Sequence, residues 1–218
     1  MKHDVIKNYL SIQQLINERK KPHQIVNIIS VSKTFEMDRI LPLINEGIIH
    51  FGENKVQEAY TKWNNVLEKH PTVKLHMIGK LQSNKAKKAL QLFSYIHSLD
   101  NIKLAQVLSK LETSLGKKIN YFIQVNIENE VNKSGIGMKD LSEFHKYCSE
   151  VLNLNIIGLM AIPPDDGNHK KYFELLSKTN ITLGLKHLSM GMSADYRDAI
   201  DFGSTFVRIG SGIFGKRT

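Results

Sequence analysis

The chain has 218 residues, enough for one large domain or two small ones, and its 41% hydrophobic and 23% charged residues are ordinary for a soluble globular protein. No apolar stretch approaches the ~18–20 residues of a membrane-spanning helix, so no membrane partner is expected, and the single cysteine, Cys148, excludes an intrachain disulfide. The net charge of +9 is spread along the chain rather than massed in one block, so a nucleic-acid partner is not expected.

Met1-Lys2-His3-Asp4 leads into a polar segment without an apolar signal-peptide core, and the expected location is the cytoplasm. Ile6, Tyr9, Leu10 and Ile16 mark an N-terminal helix ahead of the first strand. That strand is Gln24–Ser32, rich in β-branched residues, and it ends at Lys33-Thr34. Strand two, Gly47–Phe51, runs into Gly52-Glu53-Asn54. Val56, Ala59, Tyr60, Trp63, Val66 and Leu67 then fall on one face of a helix. Strand three is Val73–Ile78, followed by the densest basic run, Lys80, Lys85, Lys87 and Lys88, which reads as a solvated helix. Strand four is Tyr95–Ser98; Asp100 is a candidate N-cap for a helix carrying Ile102, Ala105, Leu108 and Leu111. Strand five is Ile119–Ile127, and Gly135-Ile136-Gly137 after it reads as a loop. Asp140 is a second cap candidate, before Leu141, Phe144, Cys148 and Leu152; Cys148 there reads as a buried, inert thiol. Strands six to eight are Asn155–Ala161, Lys186–Ser189 and Thr205–Ile209, with a helix opening at Ala194.

Strands alternating with helices predict parallel βαβ units. An open doubly wound sheet and a closed barrel both fit that alternation. Eight strands in this length favour a single (β/α)₈ TIM barrel over residues 1–218, with an extra N-terminal helix.

In a barrel the chemistry sits where strands end. Lys33 is the first anomaly, because an ammonium at the end of a buried strand is costly unless paired or neutralised, and such lysines form Schiff bases. Taken alone, the segment also fits a strand that stops with its lysine in water. Ser189-Met190-Gly191-Met192-Ser193 and Ile209-Gly210-Ser211-Gly212 combine hydroxyls, glycines and helix starts after strands seven and eight, where phosphate sites of this fold are frequently built. Arg208, between Val207 and Ile209, is a second buried cation that needs an acceptor: an acid, a ligand ring nitrogen or rim carbonyls. His50, His76, His97 and His187 lie in predicted strands without metal-ligand spacing and read as core or rim residues.

Val31-Ser32-Lys33-Thr34, Phe51-Gly52-Glu53-Asn54 with Lys55 to Glu58, His76 to Lys85, Gly158 to Pro163, Leu188 to Ser193 with Asp195, and Val207 to Gly210 with Ile213-Phe214-Gly215 together resemble the pyridoxal phosphate homeostasis proteins, a group similar to the barrel domain of alanine racemase. The resemblance implies that Lys33 carries pyridoxal 5′-phosphate (PLP) as a Schiff base and that Arg208 faces its pyridine nitrogen. Ser189, Gly191, Ser193, Gly210 and Ser211 would hold the phosphate, and Asn54 and Met160 would line the ring. The sequence ends soon after strand eight, so no second β domain is expected, and with it no second catalytic base. The implied role is a non-catalytic PLP carrier in vitamin B6 homeostasis, a monomer with apo PLP-dependent enzymes as partners. A weakly active amino acid racemase, or a Schiff-base aldolase without cofactor, are the alternatives.

Overall fold

The computed structural model describes residues 4–128, 130 and 134–215; the rest of the predicted domain 1–218 lies outside the described residues. The strands are β1 (Asn27–Val31), β2 (His50–Glu53), β3 (Lys74–Met77), β4 (Tyr95–Leu99), β5 (Asn120–Asn126), β6 (Ile136–Gly137), β7 (Asn155–Met160), β8 (His187–Met192) and β9 (Phe206–Ile209). All pair in parallel, in the order β4-β3-β2-β1-β9-β8-β7-β5, and β4 pairs with β5 to close the ring. The barrel expected from the sequence is therefore the fold. The two-residue β6 lies beside β5.

The helices are α1 (Val5–Arg19), α2 (Met37–Asn45), α3 (Val56–Lys69), α4 (Ala86–Leu92), α5 (Ile102–Leu115), α6 (Leu141–Lys146), α7 (His169–Thr182), α8 (Tyr196–Asp201) and α9 (Ser211–Phe214). α9 is a single turn, too short to cover the seam between β9 and β1. The extra helix α1 packs on α9, α8 and α2 and covers it. Its buried stripe, Val5, Tyr9, Ile12 and Ile16, has helical period, and Asp4 caps it by accepting from Lys7 N at 3.0 Å.

Most apolar burial lies between strands and helices, as expected of a parallel sheet covered by helices. Inside the barrel a smaller cluster forms from Ile29, Val31, Phe122, Met160 and Phe206. The interior leaves little slack at Gly158: a Cβ there would stand 2.0 Å from the His187 carbonyl oxygen and 2.9 Å from Phe122. Gly158→Ala is expected to cost roughly 3 kcal/mol or more, since neither backbone nor packed ring can yield cheaply; urea unfolding of the variant measures it.

Local chemistry departs from the sequence reading in several places. Asn101, not Asp100, caps α5, its Oδ1 accepting from Leu104 N at 2.8 Å. Asp140 stands at the start of α6 but makes no capping bond. Gly135-Ile136-Gly137 contributes β6 rather than pure loop, because a Cβ on Gly135 would lie 2.5 Å from Asn126 N and only glycine allows that approach. β8 runs three residues past Ser189, through a register shift. Cys148 is fully buried and burial pushes its thiol up to about 12, in keeping with an inert core residue. In the basic run, Lys88 lays its ammonium 3.8 Å from the centre of the Tyr60 ring.

Candidate functional site

Lys33 follows β1 by two residues and is half-buried. The chain turns there: Thr34 adopts φ 70°, a left-handed conformation that costs a β-branched residue ~1–3 kcal/mol. The turn is held from behind. Ser32 N donates to the Gly52 carbonyl (3.0 Å), and Phe35 N donates to the Ser32 carbonyl (3.1 Å). Lys62 reaches from α3 to donate to the carbonyls of Ser32 (2.9 Å) and Phe35 (3.1 Å). The same ammonium pairs with Glu53 Oε1 at 2.7 Å, which also accepts from Ser32 Oγ (2.7 Å) and Trp63 Nε1 (2.9 Å). Glu53 is wholly buried. A buried carboxylate with three donors on one oxygen is a rigid anchor, and it fixes the backbone on which Lys33 stands.

Arg208 is the last residue but one of β9, in register with Ile29 of β1. It is 4% exposed, yet its hydrogen bonds run to neutral acceptors: Nη1 donates to Ser189 Oγ and to the Ser189 carbonyl, both at 2.7 Å, and Nη2 donates to the Ala161 carbonyl at 2.9 Å. The carbonyl alternative of the sequence reading thus describes its protein contacts. Burial lowers the guanidinium to about 10, against the opposing pull of Asp195.

The Gly/Ser loops lie beside this cation. Ser193 Oγ accepts from Gly212 N at 3.3 Å, joining the loop after β8 to α9. Asp195 Oδ1 accepts from Met192 N at 2.6 Å and shapes the same turn. Gly191 has φ 92°, and a Cβ there would stand 2.6 Å from Ala199 and 2.9 Å from Tyr196 Cα; its glycine lets β8 meet α8 closely. Gly210 lies over β1, its Cβ position 3.6 Å from Val31, and Ser211 next to it is exposed. Asn54 follows β2 and its Oδ1 is buried without a hydrogen-bond partner. Met160 ends β7, buried with Val31 and Phe206 in the inner cluster.

Of the nine sequence-predicted positions, Ser189 lies in the middle of β8 and the other eight belong to the C-terminal parts or following loops of β1, β2, β7, β8 and β9. Ser189 differs from the others in its engagement. Its hydroxyl is buried and already bonded to Arg208 and, at 2.9 Å, to His97 Nδ1. Sequence reasoning missed Glu53 and Lys62 as site-forming residues; the signal available was an acid at a buried strand end with a lysine one helix face away. It also left the histidines unconnected. They form a chain, with His50 Nδ1 2.9 Å from His76 Nε2 and His76 Nδ1 2.9 Å from His97 Nε2. Burial, helped by Lys74, holds His50 down to about 4. Burial first, then neighbouring charge, holds His76 and His97 well below the ordinary imidazole range. No cluster fit to bind a metal occurs among the described residues.

A family model described as the N-terminal domain of alanine racemase matches residues 5–218. The pyridoxal phosphate homeostasis protein of Pasteurella multocida is 36% identical over 217 residues, spanning 95% of this chain and 93% of that protein. Its namesake in Vibrio cholerae is 39% identical over 202 residues, spanning 88% and 86%. Among solved structures, PipY of Synechococcus elongatus with PLP bound superposes with a TM-score of 0.86 at 32% identity, covering 97% of this chain and 100% of that one.

Proposed function

The chain belongs to the pyridoxal phosphate homeostasis protein family, and we propose that it binds PLP as a Schiff base on Lys33, holds it without turnover and releases it to apo PLP-dependent enzymes in the cytoplasm. The observation that carries this reading is Arg208: a buried cation whose hydrogen bonds, among the described residues, run to neutral protein acceptors, on the strand next to the one that Lys33 follows.

The residues present fit the cofactor. The orphaned Asn54 Oδ1 is a buried acceptor awaiting a donor. The linked loops carrying Ser193, Gly210 and Ser211 offer hydroxyl and backbone donors for a phosphate, with Gly191 setting the turn between β8 and α8. Met160 supplies an apolar wall. When bound, PLP supplies an aldehyde that condenses with an amine and a ring that can accept electrons. Arg208 would face the ring nitrogen and, as a cation, would keep it unprotonated and the electron sink weak. Ser189, engaged from below, orients Arg208 rather than reaching for phosphate. The Glu53–Lys62 anchor holds the Lys33 turn in place.

Gel-filtered protein previously incubated with PLP tests this. A stoichiometric visible absorption band is expected, with borohydride fixing the label on Lys33 and with amino acid α-protons exchanging into deuterated solvent no faster than with free PLP. A colourless protein, or a label on another lysine, rejects the binding reading. Rapid α-proton exchange rejects the non-catalytic part and favours the racemase.

A further inference from the structure

The barrel interior holds three histidines with no role in the reading above, and they lead to Ser189 and Arg208, which have one. His50 on β2, His76 on β3 and His97 on β4 are joined ring to ring, and the line ends on Ser189 of β8, under Arg208 of β9. His76 and His97 are 0% exposed, while His50 is only half-buried, at the start of its strand. One end of the line therefore opens toward the N-terminal mouth of the barrel, the other toward its C-terminal site.

The connections run head to tail. In each of the three links the Nδ1 of one ring meets the next member: Nε2 of His76, Nε2 of His97, then Ser189 Oγ. A neutral imidazole has one N–H and one acceptor nitrogen. Mixed tautomers would set two N–H groups or two lone pairs against each other at 2.9 Å. All three rings must therefore share one tautomer. Arg208 chooses it. Its Nη1 donates to Ser189 Oγ, which leaves the hydroxyl proton free for His97 Nδ1; a cation at that end also favours acceptor nitrogens pointing toward it. Lys74 faces His50 from β3 and Arg208 faces His97, both cations, so no ring is stabilised as imidazolium. Tyr95 stacks on His76 at 4.2 Å and Phe122 on His97 at 4.3 Å, holding the rings in plane for the bonds.

We infer that His50, His76 and His97 form a positioning relay that couples the hydrogen-bond state of Ser189 and Arg208 to the opposite mouth of the barrel by changing tautomer as one unit. In one direction, an ammonium at the site gives a proton to Ser189 Oγ and is left as a neutral amine. Ser189 passes its own proton to His97 Nδ1, His97 passes its Nε2 proton to His76 Nδ1, and His76 passes its Nε2 proton to His50 Nδ1. His50 releases its Nε2 proton to water at the far mouth. One proton crosses, each ring ends neutral with its tautomer reversed, and the reverse sequence restores it. The relay rests on the PLP reading only in treating Arg208 as the ligand's partner.

Nitrogen NMR of histidine-labelled protein without cofactor at pH 7.5 tests the relay apart from PLP binding. Wild type is expected to show His50, His76 and His97 neutral and all Nε2-protonated, with ring protons exchanging with solvent at a common rate. Mixed tautomers overturn the inference, as do ring exchange rates differing by more than about tenfold. Ser189→Ala removes the upper end, and its readout is His50, which does not touch Ser189. A shift of His50 toward a tautomer mixture supports the coupling; a change confined to His97 overturns it. Should Ser189→Ala fail to fold, the wild-type tautomers and exchange rates decide by themselves. Failure here with PLP still bound leaves the binding reading standing, whereas absent PLP binding with uniform tautomers rejects only that reading.

Discussion

Replacing Lys33 with alanine is expected to abolish the visible absorption band of PLP-loaded protein and to weaken PLP retention roughly 10²–10³-fold, or about 3–4 kcal/mol. The loss is large because a covalent bond is removed. It is not total, because Arg208, the Ser193–Gly212 loop pair and the ring pocket are independent of the lysine side chain. Lys33→Arg serves as the control: it preserves the positive charge but cannot condense with an aldehyde. Equilibrium dialysis should rank wild type well above both variants, with alanine and arginine close together. An arginine variant that keeps wild-type retention would mean that the charge of Lys33, not its nucleophilicity, holds the ligand. A circular dichroism melt of each variant separates loss of binding from loss of fold.

The second large effect is on stability in mild acid. His50 is held down to about 4, and His76 and His97 well below the ordinary range, so the folded protein keeps all three neutral where an unfolded chain would charge them. Their contribution is fully present above the unfolded value of about 6.5 and is lost as pH falls below it. Each ring removes up to about 1.4 kcal/mol per pH unit in that window. Three acting together can consume much of a typical stability of about 5–15 kcal/mol by roughly pH 5. His145 and His187 are also lowered by burial and act in the same direction. Urea midpoints at pH 7.5, 6.5 and 5.5 should fall progressively. Calorimetry near pH 5.5 in buffers of different ionisation heat should report uptake of two or more protons on unfolding. Uptake of less than one would mean that the rings are already charged in the folded state, which would also remove the basis for a neutral relay.

Both effects arise from groups that the sequence exposes unequally. Lys33 stands out in one dimension, as a cation closing a β-branched run, and the Gly/Ser loops stand out as turn chemistry after the last two strands. Their assembly follows from strand order, because parallel strands in a closed barrel put all C-terminal ends on one face. The Glu53–Lys62–Ser32 anchor did not stand out. It joins a strand end to the second turn of the following helix, and the acid at a buried strand end was a signal whose lysine partner only the packing of that helix identifies. The extension of β8 past Ser189 was hidden for a related reason: glycine and serine signal a turn locally, while the neighbouring strand and α8 hold them in a ladder.

By itself the sequence determined the alternation of eight buried strands with amphipathic helices and the closed barrel that alternation favours. Those are properties of period and residue type, which the chain carries locally. Only the tertiary structure decided what each polar group touches: that Arg208 is answered by carbonyls and Ser189 rather than an acid, that Glu53 anchors the Lys33 turn, and that three histidines from three strands make one line. Each of these bonds joins residues from different strands or from a strand and its covering helix. Their pairing is set by barrel closure and inward side-chain alternation, neither of which is written in any single segment.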